Sequence, residues 1–173
     1  MTAIIAGRNK RKKLYSYNNI SVRPTQAKIR KSIFQILEPF DGLEILDLYA
    51  GIGTLGFEAL SRGAKSIVFI ENDKQVFKIL KKNSTLFDND DVKLFPCDVI
   101  QYLSRKSNKK FDIVFADPPY QSTDFFVLLE KVKKFLKPNG IFCMEMKKEK
   151  IENLNVRIKY YGNTQVIFWK ENQ

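Results

Sequence analysis

The sequence contains no histidine, and its 173 residues include only two cysteines, Cys97 and Cys143. Two cysteines without a histidine form neither a convincing zinc site nor a thiol–histidine pair, so we expect no metal centre and two reduced thiols. Because histidine is also the most common general base, any chemistry has to depend on carboxylates, backbone groups or a cofactor that is already reactive.

Long apolar runs are absent as well. No stretch is long enough to span a membrane, and the charged N-terminus lacks the apolar core of a signal peptide. These features predict a cytoplasmic protein without a membrane partner. The length suits one domain, in which residues 1–38 form a basic hairpin and helix attached to a main body at residues 39–173.

Acidic residues are missing from the N-terminal part of the chain, where Glu38 is the first, although nine lysines and arginines precede it and the net charge is +11. A solvated surface would explain the total charge, but clustering at one end favours a polyanionic partner. We therefore expect nucleic acid to bind through Arg8, Lys10, Arg11, Lys12, Lys13 and Arg23.

The N-terminal pattern predicts short strands at 2–7 and 13–17 around a basic turn, as a hairpin or loose arm. A helix follows, with Thr25 as its N-cap and Leu37 as its end. From Leu43 onward, strand-like and helix-like segments alternate, which is typical of a parallel, doubly wound α/β sheet. Gly162-Asn163 is a two-residue hairpin turn, so the last two strands should be antiparallel. The predicted strands are 43–49, 66–71, 92–96, 111–117, 140–146, 156–161 and 164–169, and the predicted helices between them are 54–62, 73–82, 98–105 and 123–136, with a turn at 138–140.

Residues 44–56 are predicted to form a buried strand, a glycine turn and the start of a helix. The turn directs a helix N-terminus and backbone N–H groups at the space above the strand end, so we expect a nucleotide-like ligand beside Ala50, Gly51 and Gly53. The spacing also fits a dinucleotide fingerprint, and the glycines alone do not select the ligand. Asp47, however, would repel a pyrophosphate and could accept a hydrogen bond from the cationic amino-acid group of S-adenosylmethionine.

Four of the predicted strands end in acidic residues, which are Asp47, Glu71, Asp98 and Asp117. Glu71, beside Asn72, is placed to accept hydrogen bonds from both ribose hydroxyls, and Asp98 with Val99 could receive the adenine ring and its amine. Each acid taken alone could instead be a helix N-cap, Asp98 above all. Together at one edge, they favour a nucleoside-containing cofactor.

The segment Asp117-Pro118-Pro119-Tyr120 is the most specific motif. The two prolines end the strand rigidly and expose a carbonyl rather than an N–H. Asp117 and the Pro118 carbonyl could accept the two hydrogens of an exocyclic amine, while Tyr120 stacks on the base. The alternative is a rigid turn with a surface tyrosine.

These motifs resemble the RsmD family of small-subunit ribosomal RNA guanine-N(2) methyltransferases. The resemblance implies a Rossmann-like domain with a seven-stranded sheet, S-adenosyl-L-methionine as cofactor, and methylation of a guanine N(2) amine in 16S RNA of an assembling 30S particle. We expect a monomer. The segments that carry the resemblance are Ile4–Gly7, Arg23–Thr25, Tyr49–Gly56, Glu58–Ala64 and Asp117–Tyr120.

Other functions stay open at this level. An adenine-N(6) methyltransferase of DNA or RNA would use the same motif, although such DNA enzymes generally carry an added target-recognition segment. A non-catalytic nucleic-acid-binding module would not need Asp117. A nicotinamide oxidoreductase would need a proton donor, for which Tyr120 is the best candidate.

Overall fold

The computed structural model describes residues 2–16, 24–87, 91–119, 124–152 and 154–171, with only the backbone described for 24–26. The predicted N-terminal hairpin is confirmed, although its paired strands are only two residues long. The elements are β1 Thr2–Ala3, β2 Lys13–Leu14, α1 Pro24–Leu37, β3 Glu44–Leu48, α2 Thr54–Ser61, β4 Ser66–Ile70, α3 Lys74–Ser84, β5 Asp91–Phe95, α4 Val99–Leu103, β6 Phe111–Ala116, α5 Phe125–Val132, a 3-10 turn Lys133–Phe135, β7 Leu136–Lys147, β8 Arg157–Tyr161 and β9 Thr164–Lys170.

Strands β3 to β9 form one seven-stranded sheet in the order β5-β4-β3-β6-β7-β9-β8. Pairing is parallel from β5 to β7 and antiparallel where β9 lies between β7 and β8. The turn between β8 and β9 has Gly162 at a φ of 61°. The predicted doubly wound fold with an antiparallel C-terminal edge is confirmed.

Two apolar layers cover the sheet because its buried strands carry apolar residues on both faces. Ile45 belongs to the layer formed with α1, α2 and α3, whereas its neighbour Leu46 belongs to the layer with α4 and α5. On α1, Lys28 and Lys31 are exposed as predicted. Cys97 and Cys143 are free thiols, and burial raises the pKa of each.

The sequence prediction was wrong at two places. The segment 138–140 is not a separate turn, because β7 already begins at Leu136 and bulges there: Phe111 pairs with Leu136, but Ile113 pairs with Ile141. The predicted helix 123–136 ends at Val132, since the buried Phe135 and Leu136 continue the apolar pattern in a 3-10 turn and a strand. None of the helices in the described part of the chain is long and apolar enough to cross a membrane.

Candidate active site at the carboxyl edge of the sheet

The glycine turn follows β3 and is fixed by short backbone contacts. The Ala50 N–H donates to the Ile70 carbonyl over 3.0 Å, and the Gly53 N–H donates to the Ala50 carbonyl over 2.9 Å. Tyr49 was predicted to lie in the strand, but it already turns out of β3 with a φ of 56°. A positive φ is uncommon for a residue with a Cβ, and such backbone strain often occurs at functional sites.

The three glycines of the turn have different environments. A Cβ on Gly51 would meet no atom within 4 Å, so this residue borders open space. A Cβ on Gly53 would lie 2.3 Å from Phe57, and one on Gly56 would lie 2.2 Å from Ile67. Gly51 therefore leaves room for a ligand, whereas Gly53 and Gly56 allow close packing of the core, which sequence reasoning did not distinguish.

Asp47 lies beneath the turn and is only 2% exposed. Its Oδ2 accepts the Gly56 N–H over 3.0 Å, so it satisfies a free amide in the first turn of α2. Burial raises the pKa of Asp47 well above its usual range, the Gly56 hydrogen bond lowers it, and the Asp117 and Glu71 carboxylates raise it. The structure thus gives Asp47 a role in fixing the turn, and its contact with a cofactor stays a prediction.

Glu71 follows β4 and is connected to the glycine turn. Its Oε2 accepts the Gly51 N–H over 2.8 Å, and its Oε1 accepts the Asp73 N–H over 2.8 Å. Each carboxylate oxygen has a second lone pair, so both can still accept a hydroxyl hydrogen. The neighbouring Asn72 is exposed.

Asp98 follows β5 as the N-cap of α4, and its Oδ1 accepts the Gln101 N–H over 2.9 Å. The capping alternative is therefore confirmed. Asp98 is nevertheless exposed beside the buried Val99, so its second oxygen remains accessible for the predicted adenine contact.

Asp117 emerges at the end of β6, followed by the buried Pro118 and the exposed Pro119. Asp117 is accessible to solvent, but the packed strand ends around it reduce its hydration and raise its pKa to about 6. Tyr120 lies outside the described residues, so its stacking role stays a prediction. Within the described ranges, no group of three or more histidine, cysteine, aspartate or glutamate side chains is arranged to hold a metal ion.

The basic arm, residues 2–16, packs beside this site. Glu58 of α2 is fully buried, and its carboxylate accepts the N–H groups of Ile5 at 2.7 Å and Ala6 at 3.0 Å, as well as the Arg62 Nε–H at 2.8 Å. Ser61 of the same helix donates to the Ala6 carbonyl over 2.6 Å. Sequence reasoning missed these anchors, although a glutamate within an apolar helix was a possible signal.

Asn83 of α3 joins the basic arm to the glycine turn. Its Oδ1 accepts the Tyr15 N–H over 2.7 Å, and its Nδ2 donates to the Tyr15 carbonyl over 3.1 Å and to the Ile52 carbonyl over 2.9 Å. Asn83 is fully buried. The end of the basic arm and the cofactor turn thus share one side chain.

The cations predicted to contact nucleic acid are not equivalent. Arg8, Lys10, Arg11 and Lys13 are exposed. Lys12 donates instead to the Leu86 carbonyl, and its Nζ lies 5.0 Å from the centre of the Phe87 ring. Arg23 lies outside the described residues. Lys12 therefore contributes to docking of the basic arm on the protein.

Two solved structures with the same fold carry the name of a putative methyltransferase. The putative methyltransferase yhhF from Escherichia coli superposes with a TM-score of 0.87 at 27% identity over 99% of each chain. SMU.776, a putative methyltransferase complexed with SAH, superposes with a TM-score of 0.67 at 16% identity over 84% of this chain and 49% of the SMU.776 chain. This similarity concerns the fold alone. The chain has the Rossmann-like fold of these methyltransferases.

The sequence identifies the family. Residues 2–170 match the family described as conserved hypothetical protein 95. Ribosomal RNA small subunit methyltransferase D from Haemophilus influenzae is 36% identical over 157 residues, covering 85% of this chain and 79% of that protein. The chain belongs to this family, the RsmD family of ribosomal RNA methyltransferases.

Proposed function

We propose that the protein transfers a methyl group from S-adenosylmethionine to the N(2) amine of a guanine in small-subunit (16S) ribosomal RNA. It acts as a monomer on RNA of the assembling 30S particle, and therefore in the cytoplasm. The small-subunit specificity in the name of the Haemophilus influenzae relative supports the substrate. The exocyclic amine as target rests on Asp117 and Pro118, whereas the choice of guanine N(2) over adenine N(6) rests on the RsmD family.

The order of groups along the carboxyl edge is the observation that carries this proposal. The ends of β5, β4, β3 and β6 are neighbours in register. Asp98, Glu71, the glycine turn and Asp117 therefore follow one another along the edge, with about 4.8 Å between adjacent strands. Asp98 would hold the adenine, Glu71 the ribose, and Asp117 the group that reacts. The open space at Gly51 leaves room for the cofactor between them.

S-adenosylmethionine supplies a methyl group that is already activated on a sulfonium sulfur. The carboxylate of Asp117 and the carbonyl of Pro118 accept the two hydrogens of the guanine amine and orient its nitrogen. With a pKa of about 6, the Asp117 carboxylate can also hold the proton that the amine releases after alkylation. No histidine is needed for these steps.

Single-turnover transfer of labelled methyl groups to undermethylated small subunits, followed by nucleoside identification, tests the proposal. We expect N(2)-methylguanosine from the wild-type protein. Asp117→Ala should lose about a hundredfold or more in rate, because a misoriented amine leaves the in-line path. Asp117→Asn should retain part of the activity, since its amide oxygen still accepts a hydrogen bond.

Asp124→Asn is a matched control, because this substitution also removes one carboxylate charge. Asp124 caps α5 by accepting the Phe126 and Val127 N–H groups, and asparagine caps nearly as well. Its rate should stay close to that of the wild type. Formation of N(6)-methyladenosine, or full activity of Asp117→Ala, would refute the proposal.

A further inference from the structure

A cleft of about 330 Å³ lies on the face of the sheet covered by α4 and α5. Its apolar wall consists of Val68, Phe95, Tyr102 and Phe135. The ring centres of Phe95 and Tyr102 are 5.4 Å apart, and those of Tyr102 and Phe135 are 5.8 Å apart. Tyr102 and Phe135 are only 8% and 2% exposed, so the partly buried Phe95 offers most of the ring surface, with the other two rings packed behind it.

The cleft exists because α4 is short. This helix has only five residues, whereas α3 on the other face has eleven, so part of β4 and the edge strand β5 remains uncovered. The loop after α4, residues 104–110, forms one wall and is held by an ion pair between Lys109 and Glu44. This ion pair, together with the one between Lys137 and Glu44, lowers the pKa of Glu44 to about 2. The wall is therefore fixed to the sheet.

The charge of the lining is entirely positive. Lys93, Arg105, Lys106 and Lys109 line the cleft, and no lining residue carries a carboxylate. Lys109 is paired with Glu44, but no ion pair within the described ranges engages the other three, all of which are exposed. The Arg105 guanidinium lies 5.7 Å from the centre of the Tyr102 ring. Three accessible cations thus surround an aromatic wall.

This combination matches the chemistry of single-stranded nucleic acid. Bases stack on aromatic rings while phosphates contact lysine and arginine, and stacking contributes about 1–3 kcal/mol per base. The loop 104–110 lies before the start of β6, while Asp117 follows its end, and a six-residue strand spans about 20 Å. Phe95 and Val68 belong to β5 and β4, which β3 separates from β6. A nucleotide in this cleft is therefore not the one being methylated.

We propose that this cleft binds a single-stranded segment of the RNA substrate away from the target guanine. The proposal rests on the function proposed above, because it takes ribosomal RNA as the polyanion. Binding in the cleft increases the affinity for the RNA and fixes the position of the RNA on the protein. The reacting groups lie elsewhere.

The test variant combines Lys93→Gln, Arg105→Gln and Lys106→Gln. Its control combines Arg157→Gln, Lys159→Gln and Lys170→Gln, which removes the same charge from exposed positions on β8 and β9 at the other edge of the sheet. Binding of an oligouridylate is measured as a function of salt, beside binding of uridine monophosphate. The slope of log affinity against log salt should fall by up to about 2 in the cleft variant, with about 0.7 for each lost phosphate contact.

The control variant should keep the wild-type slope, and both variants should keep the wild-type kcat, with KM for RNA raised in the cleft variant alone. Equal losses in both variants, or none in the cleft variant, would overturn the proposal. Equally tight binding of uridine monophosphate would overturn it too, since the ligand would then be a free nucleotide. Oligonucleotide binding needs no methyl transfer, so failure of the proposed reaction is distinguishable from failure of the cleft.

Discussion

The carboxyl edge of the sheet and the basic arm are neighbours, but their positions are fixed by different means. The edge follows from five strands in parallel register between two buried apolar layers. The basic arm has only two paired residues in each strand, and its backbone is held by side chains of Glu58, Ser61 and Asn83.

This difference predicts different responses to mutation. At the carboxyl edge, stability is distributed over many small apolar contacts. The strand ends should therefore keep their positions when one polar group is lost. The basic arm depends on a few buried polar groups, and removing one partner leaves the others without hydrogen bonds at a cost of about 1–3 kcal/mol each. Stability changes should therefore concentrate at the anchors of the basic arm, and functional changes at the edge.

The largest effect is expected for Glu58→Ala. The change leaves the Arg62 side chain, which is 9% exposed, without its buried partner and removes the acceptor of two backbone N–H groups. Breaking a buried ion pair in this way costs about 3–5 kcal/mol. Urea unfolding should show this loss, whereas the cofactor affinity of the folded fraction should change little.

Glu38→Ala is the control for Glu58. Glu38 pairs with the same Arg62, but its side chain is 50% exposed. An exposed pair contributes about 0–1 kcal/mol, so this variant should unfold near the wild-type midpoint. Similar losses in the two variants would show that burial of Glu58 does not determine how the basic arm is held.

Glu71→Ala tests the carboxyl edge. The ribose would lose a charged acceptor, which contributes roughly 1.5–3 kcal/mol, or about ten- to hundredfold in affinity. Calorimetry with S-adenosylmethionine measures the loss, and Asp73→Asn, which removes a neighbouring charge but retains a capping side chain, is the control. Wild-type affinity in Glu71→Ala would remove Glu71 from the cofactor site.

Asn83→Ala should affect both regions, since Asn83 contacts the basic arm and the glycine turn at the carboxyl edge. We expect a loss of about 1–3 kcal/mol in stability, because partly buried backbone groups of Tyr15 and Ile52 lose their partner. Amide exchange at Tyr15 should accelerate, and cofactor affinity should fall because the turn is less fixed. The neighbouring Ser84→Ala removes only a bond to Lys81 within α3 and should change neither quantity. Unchanged exchange and affinity in Asn83→Ala would show that the two regions are independent.

The difference between an edge built from regular strands and an arm held by single side chains also explains which features the sequence could predict. The order of strands and helices was predictable because periodic apolar residues and turn signals are local. The anchors were not, because Glu58 contacts Ile5 across 53 positions and Asn83 contacts Tyr15 across 68. Local patterns also failed at Tyr49, whose aromatic side chain suits a strand although its backbone turns. The strand-end acids were predictable as a group, but not the hydrogen bond that Asp47 accepts from the Gly56 N–H.

The smallest effect concerns the pH dependence of Asp117. Its folded-state pKa of about 6 lies above the unfolded value, so ionisation disfavours the folded state, and stability contributed by the protonated carboxyl is lost as pH rises from about 4 through 6. Asp117→Asn should therefore not reduce stability at neutral pH. Loss of activity in that variant can then be assigned to the reaction.

Methyl transfer is fastest in the opposite protonation state, because only the ionised Asp117 carboxylate can take up the proton that the amine releases after alkylation. One pH unit below a pKa of about 6, roughly one molecule in ten is ionised, so the single-turnover rate should fall about tenfold between pH 7 and pH 5. An aspartate with an ordinary pKa would give a flat profile over this range. Asp117→Asn should lose this acid limb while retaining its lower rate. If the rate of Asp117→Asn still falls toward pH 5, the titrating group lies in the RNA or elsewhere on the protein. Asp117 would then not cause the pH dependence.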